Sequence, residues 1–303
     1  MINGLSIGLA LGSGSARGWA HIGVIKALKE MGVEADVVAG CSVGSLVGAA
    51  GACGFIDEFE DWVLSLKNWR EVWGLVDVGL SGGLVRGEKL LNFFRDSGVN
   101  MNIEDMPCAY GAIATDLATG QERWLRTGPV LDAIRASCTF PGLFQPVETD
   151  GHWLLDGGLV NPVPVSLCRA LGADIVIAVD LNTQIVNRHV GRAEQREHLS
   201  SSDSREKAEE SKAIARIKSW FAGPHHRDEA PGIFDVMAAS INIMQDRITR
   251  SRMAGDPPDL QLSPRLMDIG MVDFDRAGDA IREGYAVVNS ARSRIIDICG
   301  LPS

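Results

Sequence analysis

The chain has 303 residues, 46% hydrophobic and 22% charged with 34 glycines, a composition that supplies a sizeable core and many tight turns and excludes a disordered protein. Its formal net charge of -10 works against a phosphate-backbone partner, so no nucleic acid is expected, and against broad binding to an anionic bilayer, so any peripheral membrane contact should be local and apolar. The cysteines Cys41, Cys53, Cys108, Cys138, Cys168 and Cys299 are scattered, with no CxxC pair and no zinc spacing; they read as reduced thiols, and no metal or cofactor is expected.

The first residues, MINGLSIGLALGSGSARGW, lack the basic start and cleavage site of a secretory signal, and no apolar run reaches membrane-spanning length. A soluble, cytoplasmic protein is expected, meeting lipid, if at all, at the inner face of the membrane. Ser6 to Leu11 reads as a strand ending in glycines, and Trp19 to Met31 as a helix in which Ile22, Ile25, Leu28 and Met31 recur every three residues. The pattern repeats at once: a buried-strand run from Ala35 to Ala39, a sharp turn at GCSVG, and a small-residue helix from Val43 to Cys53. Successive βα units imply a parallel sheet.

Further on, helices are predicted around Glu58 to Leu66 and Glu88 to Phe94, and Ala109 to Thr115 with Gln121 to Leu125 flank DLATG as a hairpin. A helix over Pro129 to Ser137, a brief strand at Trp153 to Leu155 and a helix from Ser166 to Leu171 lead to the strand Ile175 to Asp180, where the core is predicted to close. From Asn182 to Pro231 the charges cluster, which reads as a flexible insertion; inside it Ile214, Ile217, Trp220 and Phe221 share one helical face, the pattern first of a helix packed on its own domain and second of a lid or lipid-docking element. A long helix from Ile233 to Met253, a short extended piece at DPPDL and a helix from Phe274 to Ile298 follow. The expected organisation is one domain, 1–303, with a core over 5–181, an insertion over 182–231 and a C-terminal helical extension over 232–303.

The strongest chemical signal is Gly40-Cys41-Ser42-Val43-Gly44, a GxSxG between a predicted strand and a predicted helix. Such a bend exposes the serine hydroxyl beside a helix N-terminus, where developing negative charge is favoured. Read alone, the segment also fits, though less well, a tight turn with a helix-capping serine. The earlier loop Gly12-Ser13-Gly14-Ser15-Ala16-Arg17-Gly18 fails the dinucleotide spacing by one residue and lacks a phosphate-binding lysine; its better use is as an oxyanion hole, with Arg17 either bracing the loop or lying at the surface. The histidines are poor candidates for a base: His21 falls in the first helix, His152 in a short loop, and His189, His198, His225 and His226 in the charged insertion. Asp156 is better placed, ending an apolar run and followed by Gly157 and Gly158, although an aspartate in a β-turn reads the same way.

Together, the loop ending Arg17-Gly18, the elbow GCSVG and Asp156-Gly157-Gly158, in this order, resemble the patatin-like phospholipase family. The flanking GWAHIGVIKAL, CTFPGLFQPV, NPVPV and RMAGDPPDL look like the bacterial RssA-type group related to neuropathy target esterase. The resemblance implies a three-layer α/β/α fold with a mainly parallel central sheet, and a serine lipid acyl hydrolase of phospholipase, lysophospholipase or esterase type acting on a lipid or lysolipid ester. It implies a Ser/Asp dyad with Ser42 as nucleophile and Asp156 as general base, and backbone amides of Ser13, Gly14 and Ser15 as the oxyanion hole. Many relatives have glycine where Ser13 and Ser15 stand here. Phe140, Leu143 and Phe144 are candidates for holding an acyl chain, with core packing the first use to expect of any one of them. A second reading is a regulatory or partner-binding protein that keeps the fold.

Overall fold

A computed structural model gives the fold and describes residues 2, 4–66, 88–141, 144–183, 233–271 and 273–302. Strand β1 (Ile7–Leu11) is buried at every position and runs parallel to β2 (Val37–Cys41) on one side and β7 (Ile175–Val179) on the other. Strands covered on both faces read as continuous apolar runs, as IGLAL, VVAGC and IVIAV do. The two-residue alternation then sorts their side chains. Leu9, Leu11, Val38 and Ile177 join the cluster holding α1 (Ala20–Glu30) and α2 (Val43–Ala52), while Ala10, Val37, Ala39 and Val176 meet Val165, Leu167 and Cys168 of α6 (Val165–Ala170) on the other face. The result is a three-layer α/β/α sandwich. Each large aliphatic side chain so buried contributes about 1.5–3 kcal/mol.

Three more helices flank this region, α3 (Ile56–Ser65), α4 (Glu88–Asp96) and α5 (Val130–Ser137). The arrangement around β3 (Ala109–Asp116) sets the position of the site. β2 pairs with Ala109–Ile113 of β3 in parallel, and β4 (Glu122–Leu125) pairs with Ala112–Thr115 antiparallel. β6 (His152–Asp156), itself paired with the short β5 (Val147–Thr149), takes Ala114–Asp116 antiparallel. Because β4 occupies one side of β3 over residues that both other strands also use, β2 and β6 must share the opposite side. They run toward one another along it. Cys41 lies opposite Ile113 and Asp156 opposite Ala114, so the C-terminal ends of β2 and β6 meet head-on.

The core does not close at Asp180. After α7 (Ile233–Gly255), β8 (Leu260–Leu262) joins the sheet parallel to β7, with Leu260 and Leu262 both buried. α8 (Ala277–Ser290) packs on α1 at backbone distance: a Cβ on Gly23 would lie 2.0 Å from the Ile281 carbonyl oxygen, and one on Gly284 2.0 Å from that of Ala20. The segment 232–303 is therefore part of the layers and not only a helical extension of them. The helix expected over Phe274 to Ile298 is divided at Ala291 into α8 and α9 (Arg292–Cys299). Of the expected insertion, Asn182 and Thr183 are described, and Asn182 is buried; Ile214, Ile217, Trp220 and Phe221 lie outside the described residues. Among the described residues no helix is long and apolar enough to cross a membrane.

Candidate active site

Ser42 stands at the turn from β2 into α2 with φ 55° and ψ -128°, a conformation that typically costs a non-glycine residue about 1–3 kcal/mol. Its surroundings hold it there. The Ser42 amide donates to Ser137 Oγ (2.9 Å), Ser45 Oγ donates to the Ser42 carbonyl (2.6 Å), and the buried Tyr110 hydroxyl donates to the Ser45 carbonyl (2.8 Å). The bend is also crowded: a Cβ on Gly40 would lie 2.3 Å from Ser45 Cα, and one on Gly44 2.1 Å from the Leu11 carbonyl oxygen. Only glycine fits at positions 40 and 44, two residues to either side of this serine.

The head-on meeting of β2 and β6 brings Ser42 to Asp156, and the Ser42 hydroxyl donates to Asp156 Oδ2 at 2.6 Å. The aspartate is fixed on all sides. Its amide donates to the Thr139 carbonyl (2.9 Å), its carbonyl accepts from Thr115 Oγ1 (2.8 Å), and its Oδ1 accepts from the Gly158 amide (2.7 Å). Only 2% of Asp156 is exposed. Burial pushes its pKa up from 3.8 to about 6, with the hydrogen bonds from Ser42 and Gly158 pulling the other way.

The glycine-rich loop follows β1 and leads through a 3-10 turn (Ser15–Trp19) into α1, and its backbone groups are almost all engaged. The Gly12 amide donates to the Val179 carbonyl (3.0 Å) and the Ser13 amide to that of Pro162 (2.9 Å). The Gly12 carbonyl takes a hydrogen bond from His21 Nε2 (2.8 Å), the Ser13 carbonyl one from Asn182 Nδ2 (3.2 Å), and the Gly14 carbonyl one from the Arg17 amide (3.2 Å). The Ala16 amide reaches the Met271 carbonyl (3.1 Å). Of the three expected oxyanion donors, Ser13 is thus already committed, because Pro162 holds its only N–H. The amides of Gly14 and Ser15 have no acceptor among the described residues, and Ser15 carries a positive φ of 52°.

Arg17 is not a surface residue; it is buried, with Nη1 donating to Asn182 Oδ1 (3.1 Å). Gly18 abuts Val43, at the first turn of α2. His21, read as a helix residue with no catalytic part, is fully buried and clamps the loop; since a carbonyl can only accept, its Nε2 carries the proton. Burial lowers its pKa to about 4, so the ring is neutral. Asn182, Gln245, Ser137 and Thr115, which surround the candidate site, carry no signal in the sequence, since each is a polar side chain brought in from another element with no motif around it. Phe140 and Phe144 are half-buried, and Leu143 lies outside the described residues.

A mixed, mainly parallel α/β/α sandwich with a strained serine at a strand-to-helix bend, hydrogen-bonded to a buried aspartate, defines the class of fold and site. Sequence comparison narrows the class. The patatin-like phospholipase family matches residues 9–169. An NTE family protein of Mycobacterium bovis is 35% identical over 327 aligned positions, covering 94% of this chain and 91% of that protein. A patatin-like phospholipase domain-containing protein of Caenorhabditis elegans is 38% identical, and the human patatin-like phospholipase domain-containing protein 6 is 34% identical; the matches cover 60% and 61% of this chain but only 14% of each of those proteins. The chain belongs to the patatin-like phospholipase family.

Proposed function

We propose that the protein is a serine lipid acyl hydrolase, with Ser42 as nucleophile and Asp156 as its base. Membership of the family supports lipid-hydrolase activity in general, and one observation carries the finer reading: the 2.6 Å hydrogen bond from a strained, half-buried serine hydroxyl to a desolvated carboxylate. Asp156 accepts the Ser42 proton as Oγ attacks the carbonyl carbon of an ester. The oxyanion is met by the amides of Gly14 and Ser15, which have no other acceptor among the described residues, at the first turn before α1. Asp156 returns its proton to the departing alcohol, leaving an acyl-serine. Water then gives a proton to Asp156 and its oxygen to the acyl carbon; the bond from that carbon to Ser42 Oγ breaks, Oγ takes the proton back from Asp156, and the fatty acid leaves.

A carboxylate with an ordinary pKa is a poor base for a hydroxyl; raised to about 6 it remains ionised at neutral pH yet takes a proton more readily. No histidine is needed in this scheme. The substrate is read as a lipid or lysolipid ester, reached by peripheral contact with lipid. Exposed Leu117 and Trp153, side by side at the ends of β3 and β6, are the local apolar side chains suited to that contact. The test compares the protein with Ser42→Ala for fatty-acid release from lysophospholipid, phospholipid and short p-nitrophenyl esters. Release abolished in a folded variant supports the reading and names the substrate class. No release by the parent protein from any of them would favour a partner-binding protein that keeps the fold.

A further inference from the structure

Gln245, on the long helix α7, is remote from every motif yet sits among the site's loops. It is 5% exposed, and its Oε1 accepts from Ser13 Oγ (3.2 Å) and from Asn182 Nδ2 (3.2 Å). The same Asn182 nitrogen reaches the Ser13 carbonyl at 3.2 Å, while its Oδ1 receives Arg17 Nη1. On the other end of the glutamine side chain, Nε2 faces Gly158: a Cβ there would lie 2.4 Å from Gln245 Nε2 and 3.0 Å from Asp156 Oδ1. The amide nitrogen and the aspartate oxygen therefore both border the space that a side chain at position 158 would need. One side chain thus touches the glycine-rich loop, the end of β7 and the turn after β6.

We propose that Gln245 is a positioning residue that fixes the oxyanion loop relative to Asp156, so that the amides of Gly14 and Ser15 and the Ser42 hydroxyl keep a common geometry. The inference rests on the hydrolase reading above. Its chemistry is that of a bifunctional amide. The carbonyl end fixes the Ser13 side chain directly and the Ser13–Gly14 peptide through Asn182, and the NH2 end packs against the turn whose Gly158 amide binds Asp156 Oδ1. A buried polar network of this kind holds one arrangement only while every member is satisfied. With Gln245 removed, Asn182 and Ser13 lose a shared acceptor, and the Ser13–Gly14 peptide gains freedom to rotate. Misplacement of catalytic groups by about 1 Å costs up to about a hundredfold in rate.

Two substitutions separate positioning from general structural support. Gln245→Met keeps the volume and removes both polar ends; kcat should fall about tenfold to a hundredfold with KM changed less than about threefold. Gln245→Glu keeps an acceptor for Ser13 and Asn182 but sets a second carboxylate beside Asp156. The titratable groups already facing Asp156 are the thiols of Cys41 on β2 and Cys138 just after α5, both pushed up by burial and uncharged, so the new carboxylate would be the charged neighbour. The acidic limb of kcat/KM should then move to higher pH than in the parent protein. Both are measured on p-nitrophenyl ester hydrolysis beside Ser42→Ala and thermal melting. If Ser42→Ala hydrolyses as well as the parent, the hydrolase reading itself fails. If Ser42→Ala is inactive but the Gln245→Glu limb stays in place, or either variant loses rate only as it loses thermal stability, the positioning role is overturned.

Discussion

Asp116 and Asp156 stand on paired strands, near the same end of the sheet, and both are almost fully buried, at 1% and 2% exposed. Their environments drive them apart. Burial pushes Asp116 up, but the amide and hydroxyl of Thr119, His152 and the amide of Ala118 more than offset it and bring its pKa to about 2, with Arg123 at 3.3 Å as well. Asp156 has the Ser42 hydroxyl and the Gly158 amide, and burial wins, leaving it at about 6. Equal exposure does not make equal acids. The difference lies both in depth, Asp156 being surrounded by far more protein than Asp116, and in how many donors answer the charge; only the deep, under-supplied carboxylate is suited to take a proton.

The contrast breaks most visibly at Asp156. Asp156→Asn should lower ester hydrolysis at least about a thousandfold, since it removes the base and leaves only binding and oxyanion stabilisation. It should also stabilise the fold at neutral pH. An aspartate whose folded pKa lies above its unfolded value of 3.8 prefers the protonated form when folded, so its ionisation costs stability as pH rises from about 4 through about 6. The gain in the variant should approach about 3 kcal/mol at pH 7 and vanish near pH 4 in denaturant titrations. A variant less stable than the parent at pH 7 would contradict the desolvation account.

His21 sharpens the same point with the opposite charge. Its folded pKa of about 4 lies below the unfolded 6.5, so the stability it brings is complete above pH 6.5 and drains away as pH falls toward 4, by about 3 kcal/mol in all. His21→Leu should flatten that part of the stability curve. It should also slow hydrolysis by about tenfold, because the Gly12 carbonyl loses its clamp. Asp116→Asn is the smallest effect and the control. Activity should stay within about threefold of the parent, since nothing in the proposed chemistry uses this residue. The parent should lose the stability Asp116 provides only as pH falls from about 4 toward 2, and the variant should lack that loss.

Much of the fold is legible in the sequence. The strand-loop-helix units over residues 7–52 follow from apolar runs punctuated by glycine, and Ser42 and Asp156 stand out from their motifs as candidates. What escaped did so for physical reasons. β5 and β8 are three residues long, too short for a period to show; DPPDL announced an extended piece but not that it completes the sheet. Ser13 was counted as an oxyanion donor because a glycine-rich loop looks uniform in sequence, whereas its amide faces Pro162, 149 positions away by numbering and adjacent in the fold. Asn182 looked like the start of a charged insertion, and Gln245 like one polar residue on a long helix. Only the folded chain shows that the two meet over Ser13.

The most direct test of the account is the pH dependence of kcat/KM for hydrolysis of a p-nitrophenyl ester or lysophospholipid, between about pH 4 and 8. The account requires an acidic limb with an apparent pKa near 6, belonging to Asp156 in the free enzyme, below which the rate falls about tenfold per pH unit. A rate flat from pH 8 down to 4.5, with the protein still folded, would show that no desolvated carboxylate activates Ser42.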